Sequence, residues 1–286
     1  MPEVVEELRA LARDLLAKGA VQTVIGYKAE RLANRASPVI ITFPERAGEL
    51  VWNKFCLNNL AVYLTRAEVM KRGKAAIVVK GCDAKAVCGL LQEGQVAREN
   101  VVIIGMVCDG VGEPMLEMCK SCDVHTPKLA DHVIGKAAAA EAAPDENGRL
   151  AEVARLEALA PEERWKFWQE KFARCVKCYA CRQVCPMCYC KRCVVEKNQP
   201  QWIATSAHDA GNFAWNVIRA MHLAGRCAGC GACERACPQG LPLMLLNKKM
   251  AKEVALHFKY RAGYDPAVAP AVKTFDARGD SDELFR

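Results

Sequence analysis

Aromatic residues make up only 7% of this 286-residue chain, and no stretch reaches the roughly 18 consecutive apolar residues of a membrane span. The N-terminal stretch "MPEVVEELRALARDLLAKGA" mixes acids and bases at helical spacing and lacks the continuous apolar centre of a secretory signal. A soluble, cytoplasmic protein is therefore expected. Histidine is sparse, five residues scattered along the chain, and no nucleophile stands at a recognised spacing from a base, so hydrolytic chemistry has no candidate centre. No G-x-G-x-x-G opens a helix after an expected strand. The stretch "GMVCDGVG" (Gly105–Gly112) has glycines without the strand–helix context that lets them cradle phosphate. No basic stretch is interleaved with aromatics, so nucleic acid is not an expected partner.

What is present is cysteine. Seventeen occur in a chain that is 52% hydrophobic, enough apolar content for packed, mostly aliphatic cores in two domains of ordinary size. In a reducing compartment structural disulfides do not persist, so metal is the natural destination for the thiols. The formal net charge of +7 counts every cysteine as neutral. A 4Fe-4S core on four thiolates carries about 2− overall, so three such clusters would cancel about six of those charges. The basic excess reads as compensation for buried anionic clusters.

The alanine-rich, low-complexity stretch "GKAAAAEAAPDENG" (Gly135–Gly148) divides the chain. It sets expected boundaries of an α/β domain at 1–134, a linker at 135–150, a helical domain at 151–265 and a tail at 266–286. Before the linker, "SPVIITF" (Ser37–Phe43), "KAAIVV" (Lys74–Val79) and "NVVIIGMV" (Asn100–Val107) read as buried strands. "GELVWNKFCLNNLAVYLTR" (Gly48–Arg66) and "AKAVCGLLQEG" (Ala84–Gly94) read as the helices between them. The pattern βαβαβ predicts a small parallel sheet with helices packed on it. After the linker the strand signal disappears. Helical patterns run over Arg155–Cys175, with "APEE" as a start or break, then over Ala210–Cys227 and Leu241–Tyr260. The tail from Pro266 has few apolar anchors and suits an extended arm on a partner.

The spacing C-x2-C-x2-C-x3-C-P is written twice, at Cys175, Cys178, Cys181, Cys185, Pro186 and at Cys227, Cys230, Cys233, Cys237, Pro238. Three cysteines two residues apart wrap the chain around three corners of a cubane while the fourth reaches away. In two-cluster ferredoxins that fourth cysteine binds the other cluster. The expected ligand sets are therefore Cys175, Cys178, Cys181 and Cys237 for one 4Fe-4S cluster, and Cys227, Cys230, Cys233 and Cys185 for the second. Structural zinc also uses C-x2-C pairs, but gains nothing from the third cysteine or the proline. Gly229 and the "CGAC" of Cys230–Cys233 let backbone approach sulfur.

Four more thiols have a shared destination. Cys82 and Cys108 each end an expected parallel strand, on the edge where open α/β sheets bind ligands. The pair Cys119 and Cys122 follows closely enough to fold over that edge. A third 4Fe-4S cluster on Cys82, Cys108, Cys119 and Cys122 is the reading taken; a zinc site on the same ligands, or two merely buried strand-end thiols, are its alternatives. Asp83 and Asp109 each follow one of these cysteines and read as caps of a following helix, with a role as acceptors near the metal the alternative. Cys56 and Cys88 fall on apolar helical faces and read as core. Cys188, Cys190 and Cys193 crowd directly behind a complete motif. They suggest an additional cluster or zinc, with His208, His222, a partner's side chain or a cysteine released from the preceding motif as a fourth ligand, against thiols that only tune the neighbouring cluster.

The segments "VKGCDAKAV", "LLQEGQVARENVVIIG", "CVKCYACRQVCPMCYCKRC", "NQPQW" and "HLAGRCAGCGACERACPQGLPLMLLNKK" resemble iron–sulfur subunits of heterodisulfide-reductase-like, formate dehydrogenase and hydrogenase complexes of anaerobes, proteins similar to the β subunits of deazaflavin-reducing hydrogenases. Over Arg174–Phe258 the resemblance extends to the α-helical ferredoxin modules of heterodisulfide reductase and succinate dehydrogenase iron–sulfur subunits. It implies a mainly α-helical dicluster ferredoxin-like domain after the α/β domain. The implied role is passing single electrons between a flavin- or ferredoxin-linked subunit and a catalytic subunit, with no bond making in this chain. Related β subunits bind flavin, so a flavin-containing subunit with its own dehydrogenase activity is one alternative; a zinc-held scaffold is another.

Overall fold

The computed structural model describes residues 2–136 and 146–271. It opens with helix α1 (Pro2–Ala17), which buries Leu8, Ala12 and Leu16 along one stripe. Strands β1 (Thr23–Ala29) and β2 (Ala36–Ile41) follow as an antiparallel pair, Val24 opposite Ile41 and Ala29 opposite Ala36. After the short helix α2 (Ala67–Met70) come β3 (Ala75–Val79), α3 (Gly81–Gln92), β4 (Val101–Met106), α4 (Glu117–Lys120) and β5 (His132–Ile134). The sheet order is β2-β1-β3-β4-β5, and every pair except β1–β2 is parallel. All five residues of β3 are buried, as expected of a central strand covered on both faces.

The β strands expected at 37–43, 74–79 and 100–107 are present with trimmed ends. Strand β1 was not anticipated: Gly26 interrupts its apolar run, and Leu50 fills the space a side chain would take, 2.4 Å from a Cβ built there. Neither was β5, only three residues long. The helix expected over Gly48–Arg66 is replaced by two 3-10 turns, Pro44–Glu49 and Leu60–Tyr63. Asparagines undo it, because the Asn53 side chain accepts from the Phe55 amide at 2.9 Å and that of Asn59 from the Ala61 amide at 3.0 Å. Such local bonds compete with helix. The segment's apolar residues Leu50, Cys56, Leu60 and Leu64 still enter the core. The order around 37–79 is thus an antiparallel hairpin followed by an irregular crossover, in place of βαβ.

The second half holds α5 (Glu146–Glu157), α6 (Pro161–Ala173), α7 (Ala180–Gln183), α8 (Asp209–His222), α9 (Ala232–Arg235) and α10 (Leu243–Phe258). The expected helix at 155–175 divides at Ala158–Ala160, where Pro161 starts α6 and the Glu163 carboxylate accepts from the Ala160 amide. The scarce aromatics gather between α6 and α8: Trp165 lies 4.6 Å from Phe213, and Phe172 5.8 Å from the same ring, centroid to centroid. Packing crosses the sequence divide. Met187, Leu223 and Ala228 join the core of the sheet domain, and Glu93 of the sheet domain binds Arg226 Nε at 2.6 Å and Tyr189 Oη at 2.5 Å. The linker expected at 135–150 falls mostly outside the described residues. Where the described chain enters the expected tail, Gln92 of α3 donates to the carbonyls of Asp265 and Val268.

Candidate iron–sulfur centres

The two repeats of the cysteine motif fold alike. In each, the residues two and four positions after the first cysteine take left-handed backbone: Lys177 (φ 50°) and Tyr179 (φ 56°) in one, Gly229 (φ 70°) and Gly231 (φ 64°) in the other. Each loop then enters a four-residue helix, α7 or α9, that carries the third cysteine, and the two short helices pack together. The glycines adopt this conformation freely, whereas Lys177 and Tyr179 do so against steric resistance. Lys177 is buried with its ammonium donating to the Ala204 carbonyl, and Tyr179 packs edge-on against Trp215 at 5.1 Å.

This pairing brings each fourth cysteine to the opposite motif. Cys175, Cys178, Cys181 and Cys237 line one small cavity with Trp215, Leu241 and Leu243. Cys185 lies instead in the field of Cys227, Cys230 and Cys233. Burial pushes the Cys227 thiol up to about 12, with Cys230 and Cys185 adding to it. Burial likewise raises Cys233 to about 12 against the opposing pull of Arg219. Asn247 Nδ2 donates to Cys233 Sγ at 3.8 Å. The desolvated thiols of Cys227, Cys230, Cys233 and Cys185 all resist ionising alone and suit a cationic core that takes them as thiolates.

In the sheet domain, Cys82 opens α3 at the C-terminal end of β3, Cys108 follows β4, and Cys119 and Cys122 come from α4 and the turn after it. All four line one cavity of about 190 Å³, and Cys227 and Cys230 line it from the other domain. Burial raises the Cys82 thiol far above its usual range, with Cys230 among the charges adding to the effect. Burial also lifts Cys108 to about 11, with Cys119 and Cys122 contributing. The turn bearing Cys122 is fixed from two sides. His125 Nδ1 lies 2.9 Å from the Cys108 carbonyl oxygen, and Gly81 leaves room for the Val124 carbonyl, 1.9 Å from where a Cβ would stand. Beneath Cys82, the buried Lys80 ammonium donates to Tyr27 Oη (2.7 Å), the Asn58 carbonyl (2.6 Å) and Asp83 Oδ2 (2.9 Å). Burial is the largest single influence and opposes that charge, but Asp83, Tyr27 and Cys82 together outweigh it and hold the Lys80 ammonium well above its ordinary range.

Residues 174–242 match the family described as "4Fe-4S dicluster domain". The chain carries a 4Fe-4S dicluster domain. It is also similar along nearly its whole length to two curated proteins. The "F420-dependent formate dehydrogenase subunit beta" of Methanocaldococcus jannaschii is 23% identical, over 91% of this chain and 92% of that protein. The "F420-dependent formate dehydrogenase 1 subunit beta" of Methanococcus maripaludis is 23% identical, over 92% of each. The dicluster domain makes this an iron–sulfur protein of the electron-transfer type.

Around the dicluster domain the remaining cysteines separate. Cys188 contacts Cys185 and lies in the field of Cys193, while Cys190 is exposed. His208 is committed elsewhere, its Nδ1 accepting from the Gly211 amide as the cap of α8, and His222 is exposed in the last turn of α8. Neither histidine is placed with the three thiols. Cys56 and Cys88 are buried in the sheet domain, Cys56 accepting from the Asn53 amide. Asp83 does cap α3, accepting from the Lys80 amide at 3.3 Å. Asp109 does not cap: it is exposed and itself lies in a bend, with no helix starting directly after it. The sequence reading also passed over Arg219, which shares the buried face of α8 with Asn212, Trp215 and Asn216. Polar residues at core positions of an amphipathic helix were the available signal.

No helix among the described residues is long and apolar enough to cross a membrane.

Proposed function

We propose that the chain is the electron-relay subunit of a multi-subunit oxidoreductase, conducting through three 4Fe-4S centres in the order Cys82/Cys108/Cys119/Cys122, then Cys227/Cys230/Cys233/Cys185, then Cys175/Cys178/Cys181/Cys237. The observation that carries this reading is the shared cavity, whose walls include all four cysteines of the sheet domain together with Cys227 and Cys230 of the dicluster domain. That sharing supports placing the first two centres as neighbours. The crossed loops support placing the second and third as neighbours, and the exposed Cys178 supports an outlet to a partner. When bound, the clusters supply one-electron chemistry. The chain's own residues hold the thiols in place, exclude water and set the surrounding charge.

The relatives are named as subunits that act with formate and a deazaflavin. We read the partners here as a flavin- or ferredoxin-linked subunit on one side and a catalytic subunit on the other. A zinc-held scaffold is the reading from a different class. Zinc at about 2.3 Å from each of four sulfurs draws them closer together than a cubane does. Anaerobic purification with iron, sulfide, zinc and flavin counted per chain tests these readings. About twelve irons are expected. About eight would remove the N-terminal centre, about sixteen would give Cys188, Cys190 and Cys193 a cluster, and zinc without sulfide would refute the relay. Flavin bound to the isolated chain would favour a subunit with its own dehydrogenase activity.

A further inference from the structure

Arg219 lies in the last turn of α8 and is 4% exposed. Its Nη2 donates to the Cys181 carbonyl at 3.2 Å, and its Nε–H has no acceptor among the described residues. The groups whose charge bears most on it are the sulfurs of Cys233, Cys185, Cys181 and Cys188, with no carboxylate among them. A buried guanidinium without an anion is strongly unfavourable. Neutral thiols supply none, and of these four sulfurs only Cys188 is drawn below its ordinary range, chiefly by its bond to Cys185. Metal-held thiolates and sulfide do supply one. Cys181 belongs to one expected ligand set and Cys185 and Cys233 to the other, so a single side chain borders both.

We propose that Arg219 is a potential-setting residue shared by the two clusters of the dicluster domain, one buried positive charge that favours the reduced state of each and gives its Nε–H to cluster sulfur. Reduction adds negative charge to a cluster, and a cation held nearby in low dielectric stabilises that added charge; a hydrogen bond to sulfur acts in the same direction. Lysine keeps the charge but loses the planar fork of donors. The inference rests on the two-cluster assignment proposed above.

The test is a redox titration of the anaerobic holoprotein, followed by electron paramagnetic resonance, in wild type, Arg219→Met and Arg219→Lys, with iron and sulfide counted in each. In Arg219→Met the reduced-to-oxidised ratio of both clusters at a fixed solution potential should fall at least about tenfold, equivalent to about 59 mV for a one-electron couple. Arg219→Lys should recover most of that loss. Unchanged potentials in an iron-replete Met variant overturn the proposal, and a shift confined to one cluster overturns the shared role. Should the Met variant lose iron, wild type grown with 15N-arginine decides the matter. Pulsed resonance should detect a 15N coupling to both reduced clusters that vanishes in Arg219→Lys, and its absence from wild type overturns the proposal. Failure of the underlying assignment shows separately, as wild-type protein lacking the iron and sulfide of two clusters.

Discussion

Replacing Gly81 with alanine should empty the N-terminal centre and leave the other two in place. Gly81 immediately precedes Cys82, and its missing side chain faces the Val124 carbonyl, two residues beyond Cys122. A Cβ there would lie 1.9 Å from that oxygen, against the roughly 3.3 Å at which carbon and carbonyl oxygen ordinarily meet. The two strands of chain must therefore part by more than about 1 Å, and the obstacle is backbone, which cannot swing aside as a flexible side chain would. Overpacking of this kind costs about 1–3 kcal/mol, which a domain with the fully buried strand β3 tolerates while keeping its fold. A four-thiolate site is less forgiving, because metal–sulfur distances are fixed to about 0.2 Å. Gly81→Ala should bind about eight irons in place of about twelve, with the resonance signals of the dicluster domain intact. Gly48→Ala, where nothing lies within 4 Å of the added carbon, is the control and should keep the full complement. A Gly81→Ala protein with undiminished iron and an unchanged spectrum would refute the placement of Cys82 and Cys122 in one centre.

Crossed ligation predicts crossed losses: Cys185→Ser should perturb the cluster of the second motif and Cys237→Ser that of the first, distinguishable by which resonance signal changes when each is combined with Cys178→Ser. Glu93→Ala should loosen the join between the domains. Its side chain is 9% exposed and that of its partner Arg226 17%, and losing one member of so buried a pair costs about 3 kcal/mol, or about 6–12 °C in the melting temperature of the anaerobic holoprotein. A loss below about 1 kcal/mol would show the pair to be superficial. Stripping iron with a chelator under reducing conditions should raise amide hydrogen exchange first in α7, α9 and the loops of both motifs, whose short helices depend on the metal, while β3 and β4 stay protected. Uniform loss of protection would contradict that division.

Both cysteine motifs were legible because their information is local, a spacing and a proline. The convergence of Cys82 and Cys108 was also legible, since parallel strands deliver their C-terminal ends to one edge. What escaped the sequence was set by tertiary context. Gly26 hides β1 within an apolar run, yet the strand needs that glycine because Leu50 crosses it. The apolar spacing over Gly48–Arg66 looked helical, but Asn53 and Asn59 spend their side chains on nearby amides and turn the segment irregular. The bond from Glu93 to Arg226 joins residues 133 apart, and nothing in either neighbourhood announces the other. Arg219 could be seen only as a misfit on an apolar helix face until the thiols around it were in place.

The repeat also shows how much of each loop is dictated by what it surrounds. Two segments with different side chains adopt left-handed backbone at the same two positions, through Gly229 and Gly231 in one and Lys177 and Tyr179 in the other. Glycine makes the second loop cheap to form. In the first, a conformation disfavoured by about 1–2 kcal/mol per residue persists at both sites, so something must over-determine it. Part of the compensation is visible: Lys177 holds the Ala204 carbonyl, and Tyr179 buries its ring against Trp215. These contacts tie the first loop to α8 and to the segment before it, which the glycine loop does without. The first loop is also the one that carries the exposed Cys178. Lys177→Gly together with Tyr179→Gly would relieve the strain but release those ties. If ligation alone dictates the loop, the double variant should hold iron as well as wild type; if the ties to α8 and Ala204 are needed, its first cluster should be lost while the second remains.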